Sequence, residues 1–285
     1  MSVGLCVICH ERPDELRDAL ASVSGEDFDE VVVLDMASDP PLEPMTGTKW
    51  LRSEVNLGVT SGRNQLVEAT SSDLLVFLDD DAVFRSPVVA PLRERFAADP
   101  KLAVVAFRIE RATGPRVSLE YPFRGKSRED AEARACTYFL GGACAVRRQA
   151  WVEAGGYDEG LFYSTEEVDL GFRLIRSGWR LLYDPAIVVE HRPSLKGRSV
   201  APRVPALRLR NRLILVRRYL PAPVAAFHGA AWGARTLLEA ARLGVPGVTA
   251  WLRAWGDGLR QPVDRRPLSW SALLEAHRLG GRVLW

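Results

Sequence analysis

Hydrophobic and polar positions along this chain fall into two kinds of run. Short, mainly apolar stretches at residues 3–8 (VGLCVI), 31–34 (VVVL), 74–78 (LLVFL) and 102–109 (LAVVAFRI) have the length and residue types of buried strands. Between them, apolar residues recur at helical spacing over residues 13–23, with Leu16, Leu20 and Val23 on one face, over 60–69, and over 87–98. A further short strand is expected at residues 50–52. Strands alternating with helices in this way predict βαβ units: an α/β chain with a mostly parallel central sheet and flanking helices. Ligands on such sheets bind beyond the carboxyl ends of the strands, so Cys9, Asp35 and the run Asp79, Asp80, Asp81 are expected to open onto one crevice.

The second half is less regular. Residues 111–134 are polar, charged and interrupted by Gly114, Pro115, Pro122 and Gly125, which predicts a long connection able to act as a lid. An apolar stretch at 136–146 is broken by Gly141 and Gly142, where backbone can approach a ligand closely. Short helices are expected at 148–154, stopped by Gly155 and Gly156, and at 166–176, with Thr165 as N-cap. Two strands, 181–183 and 186–189, then lead to His191. Beyond residue 193 arginines accumulate in a helical pattern, followed by helices bearing Trp232, Trp251 and Trp255. Such a basic tail can pack on the main domain, form a dimer contact or lie on an anionic membrane surface.

With 285 residues, 47% of them hydrophobic, the chain can bury a substantial core. Its formal charge of +2 gives no overall electrostatic case for nucleic acid. Cys6, Cys9, Cys136 and Cys144 lack zinc-like pairing and suit a reducing cytoplasm. The first residues predict a strand and not a signal peptide. No segment offers the roughly 18 uninterrupted apolar residues of a membrane span.

Three carboxylates at one strand end repel one another, an arrangement suited to a cation or polar ligand, although a solvated acidic turn uses the same residues. A second acidic group, Glu166, Glu167 and Asp169, opens a helix, where it either complements the macrodipole or supplies a general base. His191 is a surface histidine by default. Beside a carboxylate cluster it becomes a ligand candidate for Mn²⁺ or Mg²⁺.

In order along residues 3–220, the segments VICHERPDELRDAL, VVVLDMASD, NLGVTSGRNQLVEAT, FLDDDA, GGACAVRRQAWVEAGGYDEGLFYSTEEVDLGFRL and VVEHRPS resemble the motif series of the family 2 glycosyltransferases, which have the GT-A fold. The resemblance implies an inverting, metal-dependent transfer of a sugar from a dTDP- or UDP-linked donor to an acceptor hydroxyl on a cell-envelope glycan, lipid-linked sugar or natural product. It places the nucleotide-sugar half at 1–110, the acceptor half at 135–200 and a helical extension at 201–285. Asp35 would contact the nucleobase, with Cys9, Glu11, Arg12, Asn56, Gly58 and Arg63 nearby. Asp79 or Asp80 would touch the ribose or donor sugar, and Gly141 and Gly142 would line that sugar. Asp81, Asp79 and His191 would hold Mn²⁺ or Mg²⁺, and Glu167 or Glu166 would be the base. Cys9, His10 and Glu11 depart from the family's usual Thr-Tyr-Asn, and Glu166-Glu167 from its Glu-Asp. A catalytically silent nucleotide-sugar-binding protein on the same fold is the alternative. The cysteines and the basic tail together predict a cytoplasmic protein that can touch the inner face of the membrane or pair with a second copy through its C-terminal helices.

Overall fold

The structure, a computed structural model, describes residues 1–117, 120–123, 131–194, 196 and 203–281. Its centre is a mixed sheet. Strands β1 (Val3–Cys9), β2 (Glu30–Met36), β3 (Lys49–Ser53), β4 (Leu74–Asp79), β5 (Ala82–Phe84), β6 (Leu102–Arg111), β7 (Arg134–Ala135), β8 (Ala143–Arg147) and β9 (Arg180–His191) lie in the order β3-β2-β1-β4-β8-β6-β9-β5, with β7 on β9. The parallel character expected from the βαβ pattern holds from β3 through β4 and again between β6 and β9. Strand β8 enters antiparallel to both β4 and β6, and β5 and β7 are antiparallel to β9. Strands β5 and β7 span only a few residues, too short for a hydrophobic period to announce them.

Continuous apolar runs are what a sheet covered on both faces demands, because successive side chains point to opposite sides. In β1 all seven residues are buried. Val3, Leu5, Val7 and Cys9 join Leu16 and Ala19 of helix α1 (Pro13–Ala21) and Leu92 and Phe96 of α3 (Val89–Ala98). On the other face, Cys6 and Ile8 join Leu66 of α2 (Gly58–Ala69), Trp151 of α4 (Arg148–Ala154), and Leu170 and Leu174 of α5 (Glu166–Arg176). All four cysteines are buried free thiols, and burial pushes Cys6 and Cys136 up to about 12, so both serve as small hydrophobes.

The two strands expected at 181–183 and 186–189 are one. A register irregularity against β6, between the Phe107–Asp184 and Arg108–Val188 pairs, absorbs residues 185–187 as a bulge. Of the connection expected at 111–134, residues 118–119 and 124–130, Gly125 among them, lie outside the described residues. What is described is anchored: Phe123 is buried edge-on against Tyr183, with centroids 5.2 Å apart.

The extension comprises α6 (Arg203–Tyr219), α7 (Ala222–Ala241), α8 (Gly244–Arg260) and α9 (Trp270–Arg278). Ile214, Leu215, Tyr219, Leu268 and Leu273 close a third core against Val168 and Phe172 of α5. Of the roles open to the basic tail, packing on the main domain is met by α6 and α9.

Candidate active site

Parallel register brings the strand ends together: Cys9 pairs with Asp35, and Ile8 with Asp79. The three acidic residues after β4 then separate in direction. Asp79 takes Arg63 of α2, Nη2 to Oδ1 at 2.9 Å. Asp80 takes Arg12 at 2.6 Å, and the same guanidinium lies 3.2 Å from Asp81. Arg12 also donates Nε to the Lys196 carbonyl at 2.7 Å, which ties the strand-end acids to the segment after β9. Asp81 receives the Ser194 N–H at 3.2 Å and faces His191, Oδ1 to Nε2 at 3.5 Å. Burial and the neighbouring acids lift Asp80 to about 6, despite Arg12. Burial opposes ionisation of Asp81, yet the contact to His191 and the charge of Arg12 hold it well below the usual carboxylate range.

His191 was legible as a ligand candidate, but its holder was not. Glu120, buried at the edge of the 111–134 connection, lies 3.2 Å from Nδ1 of His191. Burial alone would lower the imidazole pKa. The contacts with Asp81 and then Glu120 outweigh it and raise it. A lone acid in an irregular polar segment has no periodic signal to mark it.

Among the described residues no three His, Cys, Asp or Glu side chains converge as a metal cage. Asp79, expected in the metal set, is turned to Arg63. Asp81 and His191 do fit a hard divalent ion as a pair. Their 3.5 Å separation is about half an ångström wider than the roughly 3.0 Å between adjacent ligands of an octahedral ion bound at about 2.1 Å, and Mg²⁺ habitually completes its shell with substrate phosphate and water.

At the end of β2, Asp35 is fully buried and its carboxylate is engaged by protein donors. Oδ1 accepts the Ser38 N–H at 3.0 Å, while Oδ2 accepts the Leu42 N–H at 3.2 Å and pairs with Arg52. Burial opposes its charge, but these donors lower its pKa. Glu11, at φ 63°, donates its N–H to Ser38 Oγ and accepts from Asp39 N, both at 2.9 Å. Cys9 lies in the core, its thiol 3.6 Å from the Arg12 carbonyl. Asn56 accepts the Gly58 N–H at 3.0 Å and so shapes the entry to α2. Gly58 itself, at φ +72°, lets the loop before α5 come so close that a Cβ would overlap the Phe162 carbonyl.

That loop leads into the second acidic group, in the first turn of α5. Phe162, Ser164 and Thr165 all hold positive φ, a strained run for side-chain-bearing residues. Thr165 therefore does not cap α5 with its hydroxyl, contrary to the expectation from sequence: at φ 74° its Oγ1 is buried and unpartnered. The run is held from α6, where Asn211 Nδ2 lies 2.8 Å from the Leu161 carbonyl, 2.8 Å from that of Tyr163 and 2.9 Å from that of Ser164. A buried asparagine in the apolar stretch NRLILV was the one available signal for this residue.

Glu167 accepts the Gly141 N–H at 3.0 Å. A Cβ on Gly141 would strike Arg63 and Glu167, and one on Gly142 would strike the Asp79 carboxylate. The two glycines thus let Asp79, Arg63 and Glu167 meet over one stretch of backbone. Burial raises Glu167 against the pull of Arg63 and Gly141 N–H. Glu166 is raised well above its ordinary value by burial and then by Glu167, and its Oε2 is buried without a partner. Of this buried pair, Glu167 has the donors that favour charge, so Glu166 is the one that keeps a proton.

A mixed sheet with flanking helices and an acidic strand end beneath a second carboxylate is the GT-A glycosyltransferase fold. The chain belongs to glycosyl transferase family 2, whose pattern matches residues 5–156. It is 32% identical over 190 residues to the pre-mycofactocin glycosyltransferase of Mycobacterium tuberculosis, covering 62% of this chain and 39% of that protein. It is 34% identical over 106 residues to the N-acetylglucosaminyl-diphospho-decaprenol L-rhamnosyltransferase of the same organism, covering 37% of this chain and 34% of that one. The chain thus spans less than half the length of these relatives. Among solved structures, GalNAc-T7 with UDP, GalNAc and Mn²⁺ superposes with a TM-score of 0.61 at 20% identity, over 76% of this chain and 48% of that one. S. aureus TarS 1-349 superposes at 0.60 and 15% identity, over 90% and 80%.

Proposed function

We propose that this chain transfers a sugar from a UDP- or dTDP-linked donor to an acceptor hydroxyl, with inversion, and that Glu167 is the general base. The observation that carries this reading is the meeting of Glu167, Arg63 and Asp79 over Gly141 and Gly142. It sets a carboxylate with a raised pKa beside the strand end at which a nucleotide sugar binds in this fold. A base needs reach to the hydroxyl proton and a pKa nearer the working pH than an ordinary carboxylate has. Glu167 meets the second requirement through burial, while its Gly141 N–H fixes the direction of the free oxygen. In this reading Arg63 and Asp79 orient the donor sugar, and Asp35 shapes the base-side wall through the donors it holds at Ser38, Leu42 and Arg52.

Asp81 and His191 are the residues that would hold Mn²⁺ or Mg²⁺, which when bound supplies Lewis-acid neutralisation of the departing diphosphate. Glu120 fixes the His191 ring, as outer-shell carboxylates do for ligand histidines. The relative named as a rhamnosyltransferase and the neighbour bound to UDP favour acceptors and donors of this general class. Cell-envelope glycans, lipid-linked sugars and small natural products are the acceptor classes to assay.

The test is nucleoside diphosphate release from a panel of UDP- and dTDP-sugars with Mn²⁺ and an acceptor mixture. Turnover that disappears in Glu167→Gln while donor binding persists supports the assignment. A chain that binds donor yet releases no diphosphate with any acceptor is a silent binding protein.

A further inference from the structure

Charge is strongly polarised along this chain. Residues 203–285 hold fourteen arginines against four carboxylates, a formal +10, whereas residues 1–202 carry 24 basic against 32 acidic residues, a formal −8. Part of the basic excess is used internally. Arg210 reaches the Gly160 carbonyl, Arg217 those of Gly258 and Gln261, and Arg218 pairs with Asp158 and Asp169. Arg242, in the turn between α7 and α8, and Arg253 and Arg260, on α8, are exposed.

The same two helices turn apolar side chains outward. On α7, Phe227 and Leu238 are 74% and 69% exposed, and lie eleven residues apart on one helical face, with Ala231 and Ala234 between them. On α8, Val245, Leu252 and Leu259 recur every seven residues and are 80%, 59% and 45% exposed. Arginines border each stripe on the same side: Arg235 and Arg242 beside the first, Arg253 and Arg260 beside the second. The inward faces are already filled, by Leu213 against Ala254 and Trp255 and by the Trp251 Nε1 bond to Thr236 at 3.0 Å. No helix among the described residues is long and apolar enough to cross a membrane.

We propose that the α7–α8 pair docks on an anionic lipid surface, with Phe227, Leu238, Val245 and Leu252 entering the acyl boundary and the bordering arginines meeting headgroup phosphates. Amphipathic helices bind lipid by this combination of buried apolar area and attraction to anionic headgroups. A second copy complements the surface less well, because a self-contact sets one +10 extension against another. The acidic remainder of the chain is repelled by the same surface, which orients the molecule with its extension down. This inference is independent of the sugar-transfer reading, since vesicle binding and turnover are separate readouts.

The experiment is flotation of the full chain with vesicles of phosphatidylcholine alone and of equal parts phosphatidylcholine and phosphatidylglycerol. Binding is expected to the anionic vesicles only and to weaken with salt. Leu238→Glu combined with Leu252→Glu is expected to lower partitioning at least about tenfold. Arg242→Glu combined with Arg253→Glu is expected to lower it about fivefold or more per site. All four positions are exposed, and an unchanged melting curve establishes that each variant is folded. The proposal is overturned by equal binding to both vesicle types, by no binding at low salt, or by double variants that bind as the wild type does. It is also overturned if inorganic phosphate displaces the protein, or if light scattering finds a dimer that the leucine variant dissolves.

Discussion

Gly141 donates its backbone N–H to Glu167 at 3.0 Å, and this bond distinguishes Glu167 from the adjacent Glu166 at the start of α5. Glu167→Gln keeps the shape and removes the proposed base. Turnover should fall by about 10² to 10⁴, the usual contribution of general base catalysis, with donor affinity unchanged. Steady-state rates and a donor titration on the same preparation check both halves. A variant that loses only donor affinity would move Glu167 from catalysis to binding.

Gly142→Ala places a methyl group on the Asp79 carboxylate, which has to swing away from Arg63. The expected outcome is a loss of donor affinity of about tenfold, the scale of one charge-assisted hydrogen bond, with little change in melting temperature. Calorimetric titration with donor nucleotide sugar measures it.

Glu166 makes stability depend on pH. Burial raises its pKa in the folded chain above the ordinary 4.5, so above that pH the folded chain retains a proton that the unfolded chain has released. The stability it contributes is complete below about pH 4.5 and is lost as pH rises through the folded value. Glu166→Gln, which cannot release a proton, should flatten that decline and melt a few degrees above wild type at about pH 8. Melting curves across the range from pH 5 to 8 decide it, and parallel profiles for the two proteins would remove Glu166 as the source.

Asn211→Ala removes the donor that holds three carbonyls of the strained loop before α5. The buried carbonyls left without it should cost about 1–3 kcal/mol in denaturant unfolding. Turnover should also fall, because Glu166 and Glu167 begin where that loop ends. Hydrogen exchange that accelerates at residues 161–165 in the variant would tie the two effects together.

Much of the fold was legible because its helices keep a 3.6-residue period and its central strands are continuous apolar runs. Runs such as VVVL and LLVFL can be satisfied only by a sheet covered on both faces, and β1 bears this out residue by residue. Direction was less legible. Nothing in the apolar stretch around Cys144 records that β8 runs against β4 and β6, since pairing sense is decided by the path of the connecting chain. At the site, composition marked the acidic clusters but not their partners. Arg12 bridging Asp80 and Asp81, Glu120 behind His191, and Asn211 against the loop before α5 are contacts across 68, 71 and about 50 residues. Periodicity is a local property and carries no trace of such distances.

The dependence of the Phe162–Thr165 loop on an amide from α6 has a consequence for how this enzyme family can be taken apart. Matching to the family stops at residue 156, yet the glutamates beyond it are set in place by a helix about fifty positions downstream. A chimera that grafts another member's tail onto residues 1–202 of this chain would have to import a counterpart of that amide, or the backbone that leads into Glu166 and Glu167 would be left loose.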